Sequence, residues 1–109
     1  MERMFIETFE FQKMWADLRL DDDELCELEG YLLKNPDAGR MIQGTGGVRK
    51  LRWGIKRRGK GKSGGARVIY VDFVKQETIC LVTAYAKSQI DNLTAEERRQ
   101  IKAFVKRIE

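Results

Sequence analysis

The sequence predicts an α+β fold: a single small domain in the order β-α-α-β-β-β-α, with an antiparallel meander, two N-terminal helices and one C-terminal helix. Three observations carry that expectation. Apolar residues recur at helical spacing twice before the only proline, Pro36; the period changes to two after Val48; and a helix with strong start signals closes the chain. At 109 residues the chain fits one domain, residues 1–109, with one core.

Met4 to Thr8 is a short β-type run. Phe11, Met14, Trp15 and Leu18 then fall at i, i+3, i+4 and i+7, one face of a helix. A second helix starts near Asp21 to Asp23, whose charges suit a helix N-terminus, runs through Leu25, Leu28 and Leu32, and stops before Asn35-Pro36. Gly39 to Gly47 reads as a glycine-punctuated loop; no Gly-Lys-Ser/Thr ending precedes a helix, so it is a lead into a strand rather than a phosphate-cradling P-loop.

From Val48, Leu51, Trp53 and Ile55 alternate with Lys50, Arg52 and Lys56, which gives a strand with one apolar and one cationic face. Lys56 to Gly65 is a basic hairpin loop, and Arg67 to Val74 and Thr78 to Ala84 are strands joined by a turn at Lys75-Gln76-Glu77. The final helix has Thr94 as N-cap, Glu97 as its capping-box partner, and Ile101, Phe104, Val105 and Ile108 as its apolar face. Lys106-Arg107 suits the negative end of its dipole.

Charge is partitioned along this frame. Arg40, Arg49, Lys50, Arg52, Lys56, Arg57, Arg58, Lys60, Lys62 and Arg67 lie between Ala38 and Val71 with no Asp or Glu among them. That block is +10 and the remainder −6, so the total of +4 hides a strong asymmetry. A block so one-sided repels itself unless a polyanion lies beside it, which points to nucleic acid.

The chain has no histidine, the usual general base and neutral metal ligand near pH 7. Its two cysteines, Cys26 and Cys80, are far apart and are expected as reduced core residues, so no metal site and no cofactor are expected. With no signal-peptide pattern and no apolar run near the ~20 residues of a membrane span, a cytoplasmic protein with no membrane partner is expected. Chemistry must then run on Lys, Arg, Tyr or carboxylates.

Lys50 and Arg52 project from one face of their strand, and Arg67 opens the strand that pairs with it, so the three cations should share a sheet surface. Preorganised cations of this kind stabilise the charge that a phosphodiester gains on passing through a pentacovalent state. Arg49, Lys56, Arg57, Arg58, Lys60 and Lys62 would hold RNA or ribosome around them. Trp53 shares its parity with Leu51 and is expected in the core, whereas Tyr85 and Lys87, at the exit of the last strand, are expected to reach a surface groove.

The segments Ile42-Gln43-Gly44-Thr45-Gly46-Gly47-Val48-Arg49-Lys50-Leu51-Arg52, Gly59-Lys60-Gly61-Lys62-Ser63-Gly64-Gly65-Ala66-Arg67-Val68-Ile69-Tyr70 and Thr83-Ala84-Tyr85-Ala86-Lys87 resemble toxins of the RelE/ParE superfamily, most closely the HigB-like members. The resemblance covers nearly the whole chain. It implies a toxin of a type II toxin–antitoxin system, a ribosome-dependent endoribonuclease that cuts translated mRNA by in-line attack of the ribose 2′-OH, without a metal. It implies as partners a cognate antitoxin with a helix-turn-helix domain, the 70S ribosome with its mRNA, and operator DNA only through the antitoxin. In that scheme Lys50 and Arg52 match the family's two strand cations, Arg67 its phosphate-binding arginine, and Lys87 falls near the cation after the last strand. After that strand the sequence departs from the pattern: Ala86-Lys87-Ser88-Gln89 follow, and no tyrosine comes after Tyr85. The proton-transfer group is therefore open among Tyr85, Lys87 and a ribosomal group. The alternatives are a ParE-like gyrase poison and an RNA-binding module without catalysis.

Overall fold

The computed structural model describes residues 3–54, 65–86 and 93–109. Its elements are β1 (Met4–Glu7), α1 (Phe9–Asp17), α2 (Asp22–Lys34), β2 (Arg40–Met41), β3 (Val48–Trp53), β4 (Ala66–Phe73), β5 (Thr78–Ala86) and α3 (Ala95–Ile108). The expected order is present, with one short strand added.

Five strands form one sheet in the order β1-β5-β4-β3-β2. The expected meander is β3-β4-β5, antiparallel throughout. β1 makes the sheet mixed, because it lies parallel to β5 with Met4 opposite Thr78 and Glu7 opposite Leu81. Two helices and three strands lie between β1 and β5, the long crossover that a parallel pair requires. β2 was hidden in the glycine loop, since a strand of two residues is too short to show a period.

Capping explains the helix boundaries. The Thr8 hydroxyl accepts from Phe11 N and donates to Val82 O at 2.6 Å, which starts α1 and ties it to β5 in one residue. Asp21 with Glu24 and Thr94 with Glu97 each close a capping box. The turn between β2 and β3 is equally specific: Thr45 is fully buried, takes Val48 N–H and donates to Ile42 O at 2.7 Å, while Gly44 and Gly46 adopt φ of 78° and 81°, which disfavours any side chain. The loop is thus closed on itself, as the lead into β3 requires.

The sheet separates two clusters. Phe11, Trp15, Leu18, Leu28 and Leu32 pack on Leu51, Val68, Tyr70, Ile79 and Leu81. On the other face Val48, Ile69, Val71, Phe73, Cys80 and Tyr85 pack with Val105 of α3. Trp53 packs against the first cluster, with its ring 5.7 Å from that of Tyr31, as its parity predicts. Cys80 is buried, and burial pushes its thiol up to about 11; Cys26 is exposed on α2, contrary to expectation, because it lies off the Leu25–Leu28–Leu32 stripe that faces the sheet. Among the described residues, no helix is long and apolar enough to cross a membrane.

Candidate nucleic-acid interface

Alternation in β3, β4 and β5 decides which side chains meet. Arg52 lies directly opposite Arg67, and Arg67 directly opposite Tyr85, so the three form one row across three strands on the face that carries α3. The next row is Lys50, Ile69 and Thr83, and β2 extends it with Arg40 opposite Lys50. None of these positions is a carboxylate. Side chains directly opposite in an antiparallel pair stand about 4.5–5.5 Å apart at Cβ, so the guanidinium stems of Arg52 and Arg67 are neighbours.

The first acid after the basic block, Asp72, falls on the opposite parity. It is held there by Arg3, whose Nε and Nη2 donate to its two carboxylate oxygens at 3.0 and 3.2 Å. The cationic face is thereby kept clear of it.

Depth varies along the row. Arg52 is exposed and Lys50 half-buried, whereas Arg67 is 6% and Tyr85 4% exposed. Arg67 Nη1 donates to Ala66 O at 3.4 Å, which turns the guanidinium back along its own strand. Tyr85 is not at a strand exit: β5 continues through Ala86, so Tyr85 sits inside the sheet register with Val48 and Ile69 rather than in a surface groove. A β-bulge brings this about. Ile69 pairs with Thr83 but Tyr70 pairs with Leu81, so Val82 is an extra residue in β5 that sets the parity of everything beyond it.

The base of the hairpin between β3 and β4 is tightly closed. Trp53 pairs with Ala66, and a side chain at Gly65 would run into the Trp53 carbonyl. This close approach fixes where Arg67 begins.

Arg49 is not part of the row. It pairs with Tyr70 on the opposite face, and its Nη1 donates to Gly39 O at 2.8 Å and Asp37 O at 3.2 Å. The fully buried Tyr70 completes that clasp: its hydroxyl donates to Pro36 O and accepts from Gly39 N, each at 2.9 Å, and burial raises its pKa. Arg49 thus anchors the segment after α2. Lys56, Arg57, Arg58, Lys60, Lys62 and Lys87 lie outside the described residues. Sequence reasoning missed Arg40, because the register that places it beside Lys50 depends on β2.

A family described as the RelE toxin of the RelE/RelB toxin–antitoxin system matches residues 2–109. Solved structures share the fold at low identity. A double-mutant E. coli toxin RelE in the free state is 18% identical with a TM-score of 0.60, covering 100% of both chains. The isolated E. coli RelE toxin is 15% identical with a TM-score of 0.56, over 98% of this chain and 99% of that one. A mutant RelE in complex with an antitoxin RelBc peptide is 12% identical with a TM-score of 0.54, over 100% of this chain and 97% of that one.

Proposed function

The chain belongs to the RelE toxin family, and on that premise we propose that it is a ribosome-dependent, metal-independent endoribonuclease of the HigB-like branch that cuts translated mRNA on the Arg52–Arg67–Tyr85 row. The observation that supports this reading is an arginine placed directly opposite an arginine, with Lys50 in the adjacent row and no carboxylate in either. Such a pairing costs stability and is compensated when a phosphate lies between the two.

The chemistry is an in-line transfer. The ribose 2′-oxygen bonds to the adjacent phosphorus as the bond from phosphorus to the 5′-oxygen breaks, leaving a 2′,3′-cyclic phosphate. One proton leaves the 2′-OH and one reaches the departing 5′-oxygen. Arg67, deep in the row, grips the non-bridging oxygens bidentately, and Arg52 and Lys50 at its rim stabilise the charge that accumulates on them. The chain contains no histidine, so proton transfer falls to Tyr85, Lys87 or a ribosomal group, and the ribosome's placement of mRNA supplies the alignment. The partner in this scheme is a cognate antitoxin, in keeping with the RelE structure that holds an antitoxin peptide.

Primer extension on an mRNA translated in a purified system tests the proposal. Cuts phased with codons and dependent on ribosomes are expected; uncut mRNA in the presence of folded protein would overturn it.

A further inference from the structure

Beside the catalytic row lies a cleft of about 200 Å³ lined by Arg40, Met41, Ile42, Gln43, Lys50 and Arg98. Its three cations come from three separate elements, β2, β3 and α3, and its lining holds no carboxylate. Arg98 stands on the inward stripe of α3 with Ile101 and Val105, at i, i+3 and i+7. Its Nε is buried and has no hydrogen-bond partner among the described residues. The next residue, Arg99, shows the contrast: it is on the surface and its guanidinium pairs with Glu96 at 3.1 Å.

A buried, unsatisfied N–H is costly, and three convergent cations repel one another. A tetrahedral anion answers both, because its oxygens accept from several directions at once, whereas a planar carboxylate offers two in one plane. The cleft, at about 200 Å³, is smaller than the roughly 300–1,000 Å³ of sites for organic ligands, so it suits a single phosphate within a longer polyanion. Lys50 belongs to this cleft and also flanks the catalytic row. Strands in a sheet are about 4.8 Å apart, which puts β2 about 10 Å from β4, and Arg40 stands in the row of Lys50 rather than that of Arg67, so the cleft is offset from the catalytic row.

We propose that Arg98, Arg40 and Lys50 form a second phosphate-binding subsite, which holds an mRNA backbone phosphate next to the one being cleaved. The subsite deepens the nuclease reading above and rests on it. Arg98 and Arg40 act there as binding and positioning residues, and Lys50 links the two phosphates.

The test uses the full chain with 70S ribosomes programmed by an mRNA whose cut nucleotide is 2′-O-methylated and therefore uncleavable. Arg98→Gln and Arg40→Gln are each expected to weaken binding about tenfold, the loss of one charged hydrogen-bonding group, and to lower the salt slope by about 0.7. Arg98→Lys should keep the slope. On cleavable mRNA the Gln variants should raise KM and leave kcat little changed, as loss of uniform binding does. A neutral methylphosphonate at the contacted mRNA phosphate should erase the difference between Arg98→Gln and wild type.

Unchanged affinity and slope in both Gln variants would overturn the proposal. So would a loss confined to kcat, or a loss that persists with every methylphosphonate, which would assign the phosphate to ribosomal RNA. Weakened binding of the antitoxin with unchanged mRNA affinity would make the cleft a protein-docking site instead. Arg40 is exposed on a short edge strand, so Arg40→Gln keeps the test valid if Arg98→Gln melts early. A wild-type protein that binds the methylated mRNA but leaves the unmethylated, cleavable mRNA uncut would count against the nuclease reading while leaving the subsite standing.

Discussion

Replacing Arg67 by methionine separates catalysis from stability more cleanly than alanine does. Methionine keeps the apolar stem in a site that is 6% exposed, so no large cavity opens, and it removes a charge lying directly opposite Arg52. Relief of a like-charge cross-strand pair amounts to about 0.2–1 kcal/mol. For a domain of this size the melting temperature should therefore hold or rise by up to about 5 °C. Transition-state stabilisation moves the other way. Loss of one preorganised donor to the developing oxyanion costs about 3 kcal/mol, on the order of a hundredfold or more in rate. Single-turnover cleavage on programmed ribosomes and calorimetric melting of the same preparation give both numbers. A folded Arg67→Met protein that cuts at the wild-type rate would refute the phosphate role, and one that melts many degrees lower would make Arg67 a structural residue.

The Glu29 carboxyl is raised from 4.5 to about 7 by burial first, then by its hydrogen bond with Glu7 and the repulsion between the two. The folded state favours the protonated form, so its contribution to stability is full below pH 4.5 and is lost as pH rises through 7. Glu29→Gln should match wild type in acid and exceed it at pH 8 by about 1 kcal/mol, after allowance for solvent screening of this partly exposed pair; urea melts at the two pH values check it. Tyr70→Phe leaves Gly39 N–H buried without its acceptor and should cost about 1–3 kcal/mol, with cleavage unchanged because the clasp is on the far face; denaturant melts and the cleavage assay together decide. Thiol alkylation under native conditions should label Cys26 and spare Cys80 until unfolding, read by peptide mass; labelling of both at one rate would contradict the packing of β5.

Periodicity located the helices and the meander, since caps such as Asp21 and Thr94 and the alternation Lys50–Leu51–Arg52 are local and strong. The same alternation put Lys50, Arg52 and Arg67 on one surface. It did not place Tyr85, because a bulge at Val82 changes register without altering composition. Alternation does put Arg49 on the face opposite Lys50 and Arg52, but only the carbonyls of Asp37 and Gly39 show what it does there. Arg98 carried one readable signal, a cation on the apolar stripe of the last helix. The parallel pairing of β1 with β5 was not readable, as no local pattern distinguishes parallel from antiparallel partners for a four-residue strand.

That parallel pairing has a consequence for biosynthesis. Residues 4–7 find their partners at 78–81, so β1 must wait until β5 has been made. Contacts so distant in sequence form late and slowly. The row at the site obeys the same timetable, because Arg67 is flanked on one side by β3 and on the other by Tyr85 of β5. A nascent chain that has emerged only through Phe73 carries Arg52 and Arg67 on a two-stranded ribbon, which is marginal in water by itself. The cationic row therefore assembles only once β5 has been made, so the strand that closes the meander on Arg67 also completes the surface that carries Arg52 and Arg67.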